Sequence, residues 1–104
     1  MNDPILKEIV SRLSKEFHPS KMYLFGSRAK GTARPDSDYD LLLVVNETSV
    51  KRLESMKRAR RVLEDLDVLT DVFVYSQKEF DEWKDELSSI PETALHEGLE
   101  LKVG

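Results

Sequence analysis

A chain of 104 residues with 39% apolar and 35% charged residues has room for one domain around one core, burying roughly two-thirds of the surface its unfolded form exposes. Its net charge of −4 excludes broad, non-specific nucleic-acid binding by the whole molecule, and no direct DNA binding is expected. The lack of cysteine excludes a disulfide framework and a thiolate zinc site, and with neither a signal-like N-terminus nor a spanning apolar run the expected location is the cytoplasm, away from membranes.

Asp3-Pro4 predicts a helix start, a capping acid followed by proline at the first helical position. Ile5, Ile9, Leu13 and Phe17 recur every four residues, with Leu6 and Val10 widening the stripe. An amphipathic helix therefore runs to His18-Pro19, where the residue before proline leaves the helical region. His18 is expected to face solvent. Met22 to Phe25 form the first strand, and Gly26-Ser27 break it. Arg28, Ala29 and Lys30 begin a helical turn that Gly31 and Pro35 interrupt. Asp36-Ser37 has turn chemistry and leads into a second strand, from Tyr39 to Val45. The run Leu41 to Val45 is wholly apolar, which suits a strand buried on both faces.

Asn46 to Ser49 are expected to cap the next helix, with Val50, Leu53, Met56, Ala59, Leu63 and Leu66 on its buried side. Lys51, Arg52, Lys57, Arg58, Arg60 and Arg61 make the remainder a solvated face, balanced by Glu54, Glu64 and Asp65. Thr70 to Tyr75 form the third strand. Ser76 and Glu79 have the spacing of a capping box, opening a helix whose apolar side carries Phe80, Trp83, Leu87 and Ile90. Trp83 is assigned to the core. Pro91 starts a short helix that Gly98 ends, and Leu99, Leu101 and Val103 then alternate with Glu100 and Lys102 as in an edge strand. The expected architecture is α/β (α+β), a single domain over residues 1–104. Its mixed sheet has three core strands plus a short C-terminal strand, with helices mostly on one side.

Within this order one stretch carries chemistry. Tyr39 separates Asp38 from Asp40, so on a strand of period two both carboxylates leave the same face, roughly 6–7 Å apart at the backbone. A strand about to be buried has no structural use for two charges at its mouth. Without a cation the pair repels and at least one proton affinity rises. Magnesium removes that penalty, takes oxygen ligands and keeps positions open for phosphate and water. Asp71 opens a strand expected beside the second, where it would complete a two-metal site and assist deprotonation of an attacking hydroxyl. Gly26 lets a phosphate approach the backbone, Ser27 offers a hydroxyl, and the amides of the following turn add partial positive charge. Arg28, Lys30 and Arg34 are candidates to close on a polyphosphate, and Ser37 joins the nucleotide-binding set. A lone Gly-Ser or Asp-x-Asp is uninformative; their conjunction with a later strand-borne aspartate is rare.

The stretch GSRAKGTARPDSDYDLLLVV resembles the signature of the DNA polymerase β-like nucleotidyltransferase superfamily. More narrowly, nearly the whole chain resembles the minimal nucleotidyltransferases of prokaryotes, the antitoxin type of HEPN/MNT modules. The resemblance implies magnesium-dependent transfer of AMP from ATP, with two ions and release of pyrophosphate. It places Gly26 and Ser27 on the triphosphate, Asp38 and Asp40 on the metal, and Asp71 in the position of the third carboxylate. In similar systems the acceptor is a tyrosine of a HEPN-type toxin, which implies a hetero-complex or oligomer with that partner. The larger enzymes carry a helical domain that is missing here, so a free-standing polymerase is not expected. Two alternatives stand beside this expectation. One is a nucleotide-binding antitoxin subunit that works by occlusion. The other is nucleotidyl transfer to RNA or a small molecule.

Overall fold

A computed structural model describes residues 3–103. Helix α1, Pro4–Phe17, opens where expected: Asp3 Oδ1 accepts from the backbone N–H of Ile5 and of Leu6, each at 3.1 Å. It closes at His18, whose left-handed backbone lets its N–H reach the Ser14 carbonyl at 2.9 Å, and His18 faces solvent. Four strands follow, β1 (Lys21–Phe25), β2 (Tyr39–Val45), β3 (Thr70–Ser76) and β4 (Leu99–Leu101). They form one sheet in the order β3-β2-β1-β4. β1 runs antiparallel to both β2 and β4, while β3 runs parallel to β2. A parallel neighbour needs a crossover, which α3 (Arg52–Leu63) supplies.

The apolar run of β2 is explained by cover on both faces. Met22, Leu24, Leu41, Leu43, Val45, Val72 and Val74 pack under the long helices α1 and α3. Tyr23, Phe25, Leu42 and Val44 point the other way, toward the short helices α4 (Gln77–Trp83) and α5 (Ile90–Glu97). There Phe80 stacks on Tyr23 with ring centroids 5.8 Å apart. The fold class is the expected mixed α/β one. The two long helices do share a face, and two short helices close the opposite face, because Leu42 and Val44 would otherwise remain wet.

Two local expectations give way. α3 begins at Arg52, with Lys51 in the cap position and no side-chain capping bond, so Asn46 to Ser49 precede the helix without capping it. Leu53 is 66% exposed. It lies six and ten residues before the buried Ala59 and Leu63, which turns it roughly 80–120° around the helix from them. α4 ends at Trp83, which is 51% exposed and outside the core. Ser89 Oγ donates to the Trp83 carbonyl at 2.7 Å and Glu86 N–H donates to the same carbonyl, so the chain turns away and leaves Leu87 exposed beyond the helix. Ser76 behaves as expected: its hydroxyl accepts from Glu79 N–H and Glu79 Oε1 accepts from Ser76 N–H, a complete capping box.

Candidate active site

The strand directions gather the last residue of β1 and the first residues of β2 and β3 at one end of the sheet. In register, Phe25 lies opposite Asp40, and Asp40 lies beside Asp71. Side chains alternate along strands, so Asp40 and Asp71 share the α4/α5 face with Phe25 and Phe73, whereas Tyr39, Leu41 and Val72 enter the opposite core. The carboxyl groups of Asp40 and Asp71 are in hydrogen-bonding contact, and Asp38, two residues upstream, acts on Asp40 through its charge. Burial first, then the charges of Asp71 and Asp38 and the hydrogen bond with Asp71, push the Asp40 carboxyl up to about 6. Asp40 and Asp71 therefore stand side by side where β2 and β3 begin, and Asp38 lies in the loop just before β2.

Gly26 borders the same point. It takes a left-handed φ of 77°, and a Cβ there would collide with Asp40 Oδ2, so both its backbone angle and its missing side chain are required. α2, Ser27–Lys30, is a single turn, whose amides at Ala29 and Lys30 donate to the Gly26 carbonyl. Those of Ser27 and Arg28 precede the first intrahelical bond.

The other expected nucleotide ligands are occupied within the protein. Arg28 donates from Nε and Nη2 to the Ser37 carbonyl at 3.0 and 2.8 Å, and from Nη2 to the Pro35 carbonyl at 3.2 Å. Its guanidinium also lies 3.9 Å over the Tyr39 ring. Ser37 Oγ accepts from Arg34 N–H at 2.8 Å. Lys30 Nζ lies 3.0 Å from Glu97, a pair exposed on both sides that ties α2 to α5. Sequence reasoning also gave no role to the Tyr39 side chain. Its signal was present: an aromatic between two acids on a doubly buried strand enters the core, and its hydroxyl then needs a partner. That partner is Asp3 Oδ2, at 2.8 Å.

The donor set fits magnesium. It consists of hard carboxylate oxygens whose crowding is relieved by a divalent cation. Among the described residues no three His, Cys, Asp or Glu side chains are grouped closely enough to hold an ion between them. A groove of about 690 Å³ between α1 and β4 shares no residue with these carboxylates.

The sequence matches the nucleotidyltransferase domain family over residues 5–99. The chain belongs to that family. Among solved structures, one from Sulfolobus solfataricus assigned as a nucleotidyltransferase is 29% identical. That match covers 75% of this chain and 69% of the other, with a TM-score of 0.58. A toxin–antitoxin structure with AMP-PNP is 20% identical, covering 94% and 73% of the two chains with a TM-score of 0.56. At that identity the likeness is one of fold. No curated protein matches the chain.

Proposed function

We propose that this nucleotidyltransferase domain transfers AMP from ATP to a hydroxyl of a partner protein, a HEPN-type toxin, and so acts as an antitoxin. The observation that carries the reading is the position of Asp40, held at once against Gly26 and Asp71, with Asp38 adding its charge. A phosphate approaching the Gly26-Ser27 turn meets backbone amides and the Ser27 hydroxyl on one side and the carboxylate cluster on the other. Asp38, Asp40 and Asp71 would hold magnesium, as a pair of ions. When bound, magnesium supplies charge neutralisation on the transferring phosphate and the leaving pyrophosphate.

The chain's own residues supply the rest. Gly26 and Ser27 orient the triphosphate so that its α-phosphorus faces the incoming hydroxyl. Asp71, at the outer strand of the sheet, takes the hydroxyl proton as the new P–O bond forms and the bond to pyrophosphate breaks. A partner supplies the nucleophile. The fold shared with a toxin–antitoxin structure supports a toxin as that partner, and the HEPN class follows from the sequence resemblance.

Intact-mass measurement of the partner after incubation with this protein, ATP and magnesium tests the proposal. The expected result is the gain of one AMP, abolished by Asp38→Asn with Asp40→Asn while the complex still forms. Neutralisation of the toxin without any gain in mass, unchanged by both substitutions, would establish occlusion instead. Label from ATP on RNA or on a small solute would reassign the acceptor.

A further inference from the structure

The loop between α2 and β2 sets where Asp38 stands relative to Asp40, and one guanidinium holds that loop. We propose that Arg28, Tyr39 and Asp3 form a brace that positions the metal-binding carboxylates, which makes Arg28 a positioning residue and not a ligand of the triphosphate. The inference rests on the reading that Asp38, Asp40 and Asp71 bind a divalent cation.

The Ser37 carbonyl that receives two of the Arg28 donors belongs to the peptide joining Ser37 to Asp38. Fixing it fixes the direction in which the chain enters Asp38. A third bond to the Pro35 carbonyl holds the preceding turn, where Ser37 N–H also donates to the Arg34 carbonyl at 3.0 Å. Under the guanidinium plane lies the Tyr39 ring, which occupies the position between the two aspartates and is 2% exposed. Its hydroxyl donates to Asp3 Oδ2, while Asp3 Oδ1 caps α1. The brace therefore runs from the first turn of α1, through the ring at the mouth of β2, to the loop that carries Asp38.

The electrostatics agree with this wiring. Burial works to raise the Asp3 carboxyl. The Leu6 amide, the Tyr39 hydroxyl, the Ile5 amide and the Arg28 charge outweigh it and hold the group below its usual value. Lysine could not replace Arg28, because a compact ammonium offers neither a planar fork for adjacent carbonyls nor a flat face for the ring. For Arg28 to reach a phosphate, the loop would have to lose the bonds that place Asp38.

Mn²⁺ binding to the nucleotide-free protein, followed by electron paramagnetic resonance, separates the two roles. The brace predicts that Arg28→Lys and Arg28→Met both weaken Mn²⁺ affinity by roughly tenfold or more, the usual effect of losing a residue that orients metal ligands. Tyr39→Phe, which keeps the ring and removes only the bond to Asp3, is expected to weaken it less. For Arg28→Lys the loss should be measured well below its melting temperature, where the protein is fully folded, so that it belongs to the placing of Asp38 and not to unfolding. Unaltered Mn²⁺ affinity in Arg28→Lys, with only the KM for ATP raised, would overturn the brace and make Arg28 a phosphate ligand. Asp40→Asn is the control. If the unaltered protein binds no Mn²⁺, or Asp40→Asn binds it equally well, the cation reading itself falls and takes the brace with it.

Discussion

The two ends of β2 obey opposite rules. From Leu41 to Val45 every side chain is buried, on one face beneath α1 and α3 and on the other beneath α4 and α5. At the mouth, Asp40 is pressed against a second carboxyl and pushed up to about 6, an arrangement that weakens the fold wherever no cation relieves it. The body of the strand thus supplies the stability that its mouth forgoes, and substitutions should separate the two.

The largest effect is expected in the body. Leu43 has no exposed surface and sits in the α1/α3 core. Leu43→Ala should lower stability by about 2–5 kcal/mol, a loss of transfer energy plus the cavity left behind. Urea unfolding would show it as a lower midpoint with unchanged slope. The folded fraction should keep its Mn²⁺ affinity. A matching loss of metal binding would mean that body and mouth are one unit.

Gly26→Ala reverses the balance. A methyl group at this position would drive into the Asp40 carboxylate, and a backbone at φ 77° and ψ −158°, open essentially to glycine alone, costs an L-residue on the order of 1–3 kcal/mol. Displacing that carboxylate should reduce nucleotidyl transfer on the order of 10²-fold, read with labelled ATP, for this modest change in stability. A variant with normal turnover would remove Gly26 from the site.

These two positions also show what was legible from residues alone. The apolar run marked the strand and its double burial, and alternation along it gave the face of Asp40, because each depends only on local spacing; Asp38 lies in the loop just before β2, beyond the reach of that alternation. Asp71 could be expected nearby because an intervening helix makes the next strand a parallel neighbour. The fate of Arg28 was not legible. Its partners are backbone carbonyls, which every sequence offers equally, and only the path of the loop selects them. Trp83 was misjudged for a related reason. Helical spacing put it on the apolar side of α4, but the bonds from Ser89 and Glu86 stop the helix at its carbonyl.

A smaller effect, of opposite sign, concerns pH. The folded state raises Asp40 above the usual carboxylate range, so between about 4 and 6 it holds a proton that the unfolded chain releases. The stability from that proton is fully present below about 4 and lost as pH rises through about 6. Asp40→Asn, which cannot ionise, should therefore be more stable than the unaltered protein in metal-free buffer at pH 8. Discounted for partial exposure, the gain is on the order of 1–2 kcal/mol, and it should vanish near pH 4. Magnesium should narrow it at pH 8 by stabilising only the aspartate form. Calorimetry at the two pH values would check the sign. Asp40→Asn melting lower at pH 8 would mean that the mouth is not under electrostatic stress.

The smallest effect distinguishes charge that holds the fold from charge available to a substrate. Lys30 and Glu97 form an exposed pair across α2 and α5, worth less than about 1 kcal/mol and weakened by salt. Lys30→Gln and Glu97→Gln break the same pair, so their melting temperatures should fall equally and slightly. Their effects on ATP should differ. Removing Glu97 frees the Lys30 ammonium for the phosphate tail and should lower KM, whereas removing Lys30 should raise it, each by roughly two- to threefold for an interaction of this size. Opposite shifts would show that Lys30 is released to the substrate, completing the division between a body that resists change and a mouth that exchanges partners. Equal shifts of one sign would instead make the pair a strut between α2 and α5.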